Sequence, residues 1–158
     1  MSDAADNSVK IERTLAAPAA TVYEMWTDGD KFASWYGPTG FTVNVVELDA
    51  TVGGKRLLSM SSPDGSMTMW FTGAFTGIDS PGRLSYTDIP ADDSGNALAP
   101  EAMGMPAGTP METEVIVTLA DSDGGCDMVM THVGVPADSP GAQGWQMAIG
   151  KLEALLAG

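Results

Sequence analysis

Few side chains in this 158-residue chain are of a type that does chemistry near neutral pH: one histidine, His132, one cysteine, Cys126, and a surplus of carboxylates. A single histidine cannot build a His-based metal cluster from this chain. Cys126 precedes Asp127 and has no basic neighbour in sequence. Such surroundings raise a thiol pKa, so Cys126 reads as an inert small residue, and no intrachain disulfide can form. Asp121-Ser122-Asp123-Gly124-Gly125 has the flavour of a calcium loop. Cys126 stands where that loop needs its glycine and His132 where it needs its bidentate glutamate, so the segment reads as a hairpin turn. Glu112 and Glu114 point outward if Val115 and Val117 point inward, which leaves acid–base chemistry without a pair of inward carboxylates. The chain holds no Gly-x-Ser-x-Gly, phosphate-binding loop or dinucleotide fingerprint. No catalytic residue, metal or cofactor is therefore predicted. One weak polar pair stays open, Tyr86 with His132.

The elements that must position these groups show in the apolar period. After a polar tail at 1–7, Val9, Ile11 and Leu15 alternate with charges as a half-buried strand does. Pro18 opens a short helix with Ala19, Val22, Met25 and Trp26 on one stripe, ended by Asp28-Gly29-Asp30. Phe32, Trp35 and Tyr36 form a second short helical piece closed by Gly37-Pro38. The period then falls to two, which predicts strands at Phe41–Leu48, Lys55–Ser61, Met67–Ile78, Arg83–Thr87, Glu112–Leu119 and Asp127–Val135. Most of the breaks are short turn sequences, so the strands should form an antiparallel meander. Segment 89–111 carries Pro90, Pro100, Pro106 and Pro110 without periodicity and predicts a long loop insertion. Met103 and Met105 would suit an adaptable apolar lid, the alternative being a plain surface insertion. Asp138 or Ser139 then offers an N-cap before Pro140. In the last helix Trp145, Ala148, Ile149, Leu152, Leu155 and Leu156 share one face, with Gln146, Lys151 and Glu153 on the other. That stripe contributes about 10 kcal/mol at most.

These elements predict an α+β fold, a curved antiparallel sheet of about seven strands around a long C-terminal helix, with two short helices after strand one and the whole chain in one domain. Met67, Met69, Phe71 and Phe75 should face inward with Val115, Val117 and Leu119. In the last strand the choice between Met128, Met130 and His132 and the alternate set Val129, Thr131 and Val133 is close. The four tryptophans read as packing residues. Trp70, between Met69 and Phe71, should face away from the apolar side, where it would offer an exposed patch or a homodimer contact.

Composition excludes some partners. With 21 acidic and 7 basic residues the net charge is −14, which repels nucleic acid and anionic membranes. Lys10, Arg13, Lys31, Lys55, Arg56, Arg83 and Lys151 are scattered, so the charge reads as a solvated surface. No apolar run approaches the roughly 18 residues of a membrane span, and the first residues lack the order of a secretory signal, so the expected location is cytoplasmic.

Ile11-Glu12-Arg13-Thr14-Leu15 with Pro18 and Val22–Asp28, then Trp35-Tyr36-Gly37-Pro38 and Gly54-Lys55-Arg56, form an ordered series of short motifs. It continues through Gly73-Ala74-Phe75, Arg83–Thr87, Thr131–Pro136 and Gly144-Trp145 to Leu152–Leu156. In order and spacing the series resembles the activator of heat-shock-protein-90 ATPase homologue-like family of the START-like, or SRPBCC, superfamily. The resemblance implies a helix-grip fold with a deep apolar cavity between sheet and C-terminal helix, and on the family's alternation His132 points inward with Met128 and Met130. It implies binding of a small hydrophobic molecule, a lipid, polyketide or similar, with Trp35, Met69, Phe71, Tyr86, Val117, Met130, His132, Trp145 and Ile149 as candidate lining. Two alternatives stand beside it: a cyclase or hydratase using Tyr86 and His132, and a chaperone-ATPase-regulating interaction protein.

Overall fold

A computed structural model of the chain describes residues 8–37, 39–98, 112–123, 125–135 and 140–157. The polar tail, the proposed lid methionines Met103 and Met105, and the candidate caps Asp138 and Ser139 lie outside the described residues.

Seven strands form one sheet: β1 (Ser8–Leu15), β2 (Thr42–Leu48), β3 (Lys55–Ser61), β4 (Thr68–Asp79), β5 (Arg83–Ala91), β6 (Thr113–Ser122) and β7 (Gly125–Val133). Their order is β1-β7-β6-β5-β4-β3-β2, with every pair antiparallel. The meander thus runs from β2 to β7, and β1 closes it beside β7. Helices α1 (Ala19–Thr27) and α2 (Gly29–Ala33) follow β1, and α3 (Pro140–Ala157) ends the chain. Among the described residues no helix is long and apolar enough to cross a membrane.

Local chemistry sets the boundaries. Pro18 gives α1 no side-chain cap. The gap is filled from β6, two strands from β1 at the same end of the sheet, where the Asp121 carboxylate accepts from the Ala19 backbone N–H at 2.8 Å. An acidic residue of the calcium-like segment is thereby a helix-start acceptor, and the β6–β7 hairpin turns between Ser122 and Gly125 as its sequence indicates. Asp28, expected to end α1, also starts α2: its carboxylate accepts from the N–H groups of Asp30 and Lys31, both at 3.1 Å. Strand β5 runs through Ile89 and Pro90 to Ala91, beyond its predicted end at Thr87. The chain then turns at Asp92–Gly95 and folds back so that Ala97 bridges Ala91. This return places Gly95 over the Leu57 side chain and covers part of the outer face of β3. The segment from 89 is therefore partly strand, because pairing with β4 satisfies its backbone and Pro90 has no N–H to pair.

Burial follows strand parity. Cys126, Met128, Met130 and His132 are buried, whereas Val129 and Thr131 are half-buried and Val133 is exposed. The inner row therefore carries the methionines and the histidine. Met67, expected inward, lies in the turn before β4 and is 48% exposed. Trp70 takes the outer face and is half-buried, opposite Ala91 and Ser59. On α3 the buried stripe is Ala142, Trp145, Ala148, Ile149 and Leu152, while Leu155 is 48% exposed. Leu156, four residues after Leu152, is half-buried against the core, so Leu155 is exposed because it lies off the packed stripe.

Candidate ligand-binding site

The inner face has two halves. Against α1, α2 and α3 it is closed by aromatic rings packed edge to face: Trp26 with Trp35 at 4.7 Å, Tyr36 with Trp145 at 5.4 Å, and Phe75 with Tyr86 at 5.9 Å between centroids. Towards β2, β3 and β4 the inner face is less covered. Val45, Met60 and Met69 are half-buried there, above the buried Val43, Leu58 and Phe71. Met60 pairs directly with Met69, and Leu58 with Phe71, so these side chains stand in rows across the sheet.

The base of the inner face is polar. Tyr36 and Tyr86 bring their hydroxyls to 3.2 Å, both buried. Burial holds both phenols above the usual tyrosine range, so both are protonated donors at neutral pH. Beside them lies Arg56, whose side chain is fully buried. It pairs across the ladder with Gly73, which has no side chain to block it, and its guanidinium crosses β4 to stack on the Tyr86 ring at 3.6 Å. Nη1 donates to the Thr87 carbonyl at 3.1 Å and lies 3.7 Å from the Asp88 carboxylate. Among the described residues, Nε and Nη2 are buried without a hydrogen-bond partner. Gly73 is required here for a second reason. It sits at φ 155°, and a Cβ on it would run into the same Thr87 carbonyl.

A second polar chain runs along the α3 side. The Trp145 indole N–H donates to His132 Nδ1 at 2.8 Å. Nδ1 therefore carries no proton, and the neutral ring places its proton on Nε2, which donates to Thr113 Oγ1 at 2.7 Å. Thr113 in turn donates to the Asp88 carbonyl at 3.2 Å. Burial lowers the His132 pKa, with smaller opposing effects from Asp88, which raises it, and Arg56, which lowers it. Both ring nitrogens are engaged, and the Tyr86 hydroxyl is paired with Tyr36. The weak Tyr86–His132 pair is thus not formed, and a proton shuttle between them has no geometry. His132 is held by the Thr113 and Trp145 side chains instead of by a backbone partner.

The nine candidate residues divide accordingly. Trp35, Val117, Met130 and Ile149 are fully buried, and Trp35 also donates its indole N–H to the Met25 carbonyl at 2.9 Å. Tyr86, His132 and Trp145 belong to the two polar chains. Phe71 and Met69 stand on the less covered half. Arg56 and Tyr36 were missed. The parity of Lys55-Arg56-Leu57-Leu58-Ser59-Met60 already put Arg56 on the face of Leu58 and Met60, yet its charge read as surface. Elsewhere, an open recess of about 420 Å³ lies across β1 and β7, lined by Glu12, Arg13, Thr14, Asp127, Met128 and Val129. Its exposed carboxylates make it a solvent groove, away from the buried polar groups. Among the described residues no three His, Cys, Asp or Glu side chains converge as a metal site.

An antiparallel sheet wrapped on a C-terminal helix, with two short helices after the first strand, is the helix-grip architecture of START-like proteins, generally a ligand-binding scaffold. The chain belongs to the Activator of Hsp90 ATPase homolog 1-like protein family, whose model matches residues 16–157. Among solved structures it is similar to a protein of Chromobacterium violaceum, with 29% identity over 95% of this chain and 96% of that one and a TM-score of 0.78. A protein of Arthrobacter aurescens shares the fold at 24% identity, 99% and 90% coverage and a TM-score of 0.81. The AHSA1 protein of Silicibacter pomeroyi does so at 23% identity, 95% and 97% coverage and a TM-score of 0.75. No curated protein matches the chain.

Proposed function

We propose that the protein binds a small hydrophobic molecule on the inner face of its sheet, between β2–β4 and the aromatic groups of α2 and α3. The observation that carries this is the half-buried apolar wall of Val45, Met60 and Met69 above a buried polar base at Tyr36 and Tyr86. Small-molecule sites are largely apolar with a few convergent polar groups. Methionine adds adaptability, because its unbranched thioether repacks around ligands of different shape. Of the nine candidates, Met69, Phe71, Tyr86 and Trp145 surround that space, joined by Arg56, Tyr36 and Met60. Trp35, Val117, Met130 and Ile149 back the wall, and His132 holds the Trp145 indole from behind.

A thermal-shift screen of fatty acids and aromatic polyketide-like compounds tests this function. Binding to the folded state raises the melting temperature in proportion to the logarithm of ligand concentration. Concentration-dependent stabilisation by at least one class is expected. Stabilisation by none of them would remove the proposal.

A further inference from the structure

We propose that the interior ligand carries an acidic group, a carboxylate, and that the unpartnered edge of Arg56 binds it; this rests on the ligand-binding function proposed above. Arg56 has no exposed side-chain surface; the Phe32 and Phe75 rings lie 5.7 and 6.0 Å from its guanidinium, and its polar contacts among the described residues are all made through Nη1. Nη1 serves the Thr87 carbonyl and faces Asp88, and the Tyr86 ring covers one face of the guanidinium. Nε and Nη2 are left, both buried and both without a partner among the described residues. These two nitrogens share one edge of the guanidinium plane and present parallel N–H donors, the spacing that accepts a carboxylate through both oxygens.

An unpaired buried donor destabilises a fold, and a buried cation does so more. Asp88 answers this only in part, since it stands 3.7 Å from Nη1, on the opposite side from the free edge, and is itself partly exposed. A structural cation would be expected to use its whole fork within the protein. Instead the fork is half spent, on a strand position that shares its sheet face with Leu58 and Met60 of the apolar wall. Of the Tyr36–Tyr86 hydroxyl pair, one O–H is spent on the other and the second remains as a further donor. An amphipathic acid fits this order: the carboxylate on Arg56 and the hydrocarbon along Leu58, Phe71, Met60 and Met69. Against a net charge of −14, a local cation is also what makes an anionic ligand tolerable inside this chain.

The test pairs each acid with its uncharged counterpart. Isothermal titration at pH 7.5 would compare decanoate with decan-1-ol and 2-naphthoate with 2-naphthol, with acetate as a bare anion. At least one carboxylate is expected to bind about tenfold or more tightly than its alcohol. Arg56→Met should bring that acid down to the level of its alcohol, and Arg56→Lys should lose most of the preference despite keeping the charge. Asp88→Asn should tighten acid binding by removing a competing anion, and it decides the matter if the Arg56 variants do not fold. Equal binding of acids and alcohols in the wild type overturns the inference and leaves the hydrophobic-ligand function standing. Acetate binding as tightly as decanoate and 2-naphthoate also overturns it, as a bare anion site. Binding by none of the four larger probes removes both proposals.

Discussion

The Arg56 guanidinium stacks 3.6 Å from the centroid of the Tyr86 ring, and neither side chain reaches solvent. The contact spans strand β4, which is possible because Gly73 stands where a side chain would block it. A charge, a phenol and a glycine on three neighbouring strands thus make one unit, and its cost is two buried guanidinium nitrogens without partners among the described residues. Each part of that arrangement has a measurable consequence.

Arg56→Met should leave stability within about 1 kcal/mol of the wild type, or raise it. Replacing a buried, incompletely paired charge by an apolar side chain of similar length removes a desolvation penalty that offsets the stacking gain. Asp88, partly exposed, can recover its hydration. Urea denaturation measures it. A loss above about 3 kcal/mol, the size of a broken buried pair, would mean that Arg56 is chiefly structural.

Gly73→Ala should lose at least about 3 kcal/mol or prevent folding. The new Cβ meets the Thr87 backbone carbonyl, and φ 155° is a conformation that side-chain-bearing residues rarely adopt. Gly53→Ala provides the comparison. Gly53 is also at positive φ, but a Cβ there meets nothing, so only backbone strain of about 1 kcal/mol is expected. Equal losses in denaturant would contradict the close approach at Gly73.

Stability should fall as pH drops through and below 6.5. Burial depresses the folded-state pKa of His132, so the unfolded chain takes up the proton first. The His132 contribution is fully present above the unfolded value near 6.5, decreases below it, and levels off once the folded ring is itself protonated. His132→Asn, whose side-chain oxygen can still accept from the Trp145 indole, should remove this component of the pH slope. An unchanged slope would contradict the neutral tautomer.

Asp121→Ala should cost about 0.5–2 kcal/mol, the range for loss of a helix N-terminal acceptor. Asp121→Asn keeps an oxygen for the Ala19 N–H and should lose less. Thermal denaturation of the two variants separates them, and equal losses would point to the charge instead of the cap.

Much of the fold was legible because the governing signals are local. Lys55–Ser61, bounded by Gly53-Gly54 and Pro63-Asp64-Gly65, is β3 to the residue, and the β6–β7 turn residues mark the hairpin. β5 was read too short because Pro90 reads as a strand breaker. Its missing N–H is tolerated in a strand whose remaining backbone pairs with β4 and is then covered by the chain's return at Ala97. Leu155 was placed in the core on periodicity alone, but of the adjacent Leu155 and Leu156 only Leu156 packs against it, and period does not fix the edge of a helix stripe to one residue. The site was less legible. Parity correctly put Phe71, Phe75 and Val117 inside, but partner choice depends on distances between strands far apart in sequence. Tyr86 pairs with Tyr36 and His132 with Trp145, neither of which follows from spacing. Arg56 was hidden by its residue type, since a lone arginine in an acidic chain reads as solvated until the side chain opposite proves to be Gly73.

The central claim is that a ligand sits against the inner face of β3 and β4. Labelled methionine methyl groups read this directly by NMR. Met60 and Met69 line that face, whereas Met67 and Met147 are 48% and 45% exposed elsewhere. On titration with decanoate, the Met60 and Met69 methyl resonances should shift and saturate together while those of Met67 and Met147 stay in place. Shifts confined to Met67 or Met147, or none at saturating decanoate and 2-naphthoate, would contradict an interior ligand site.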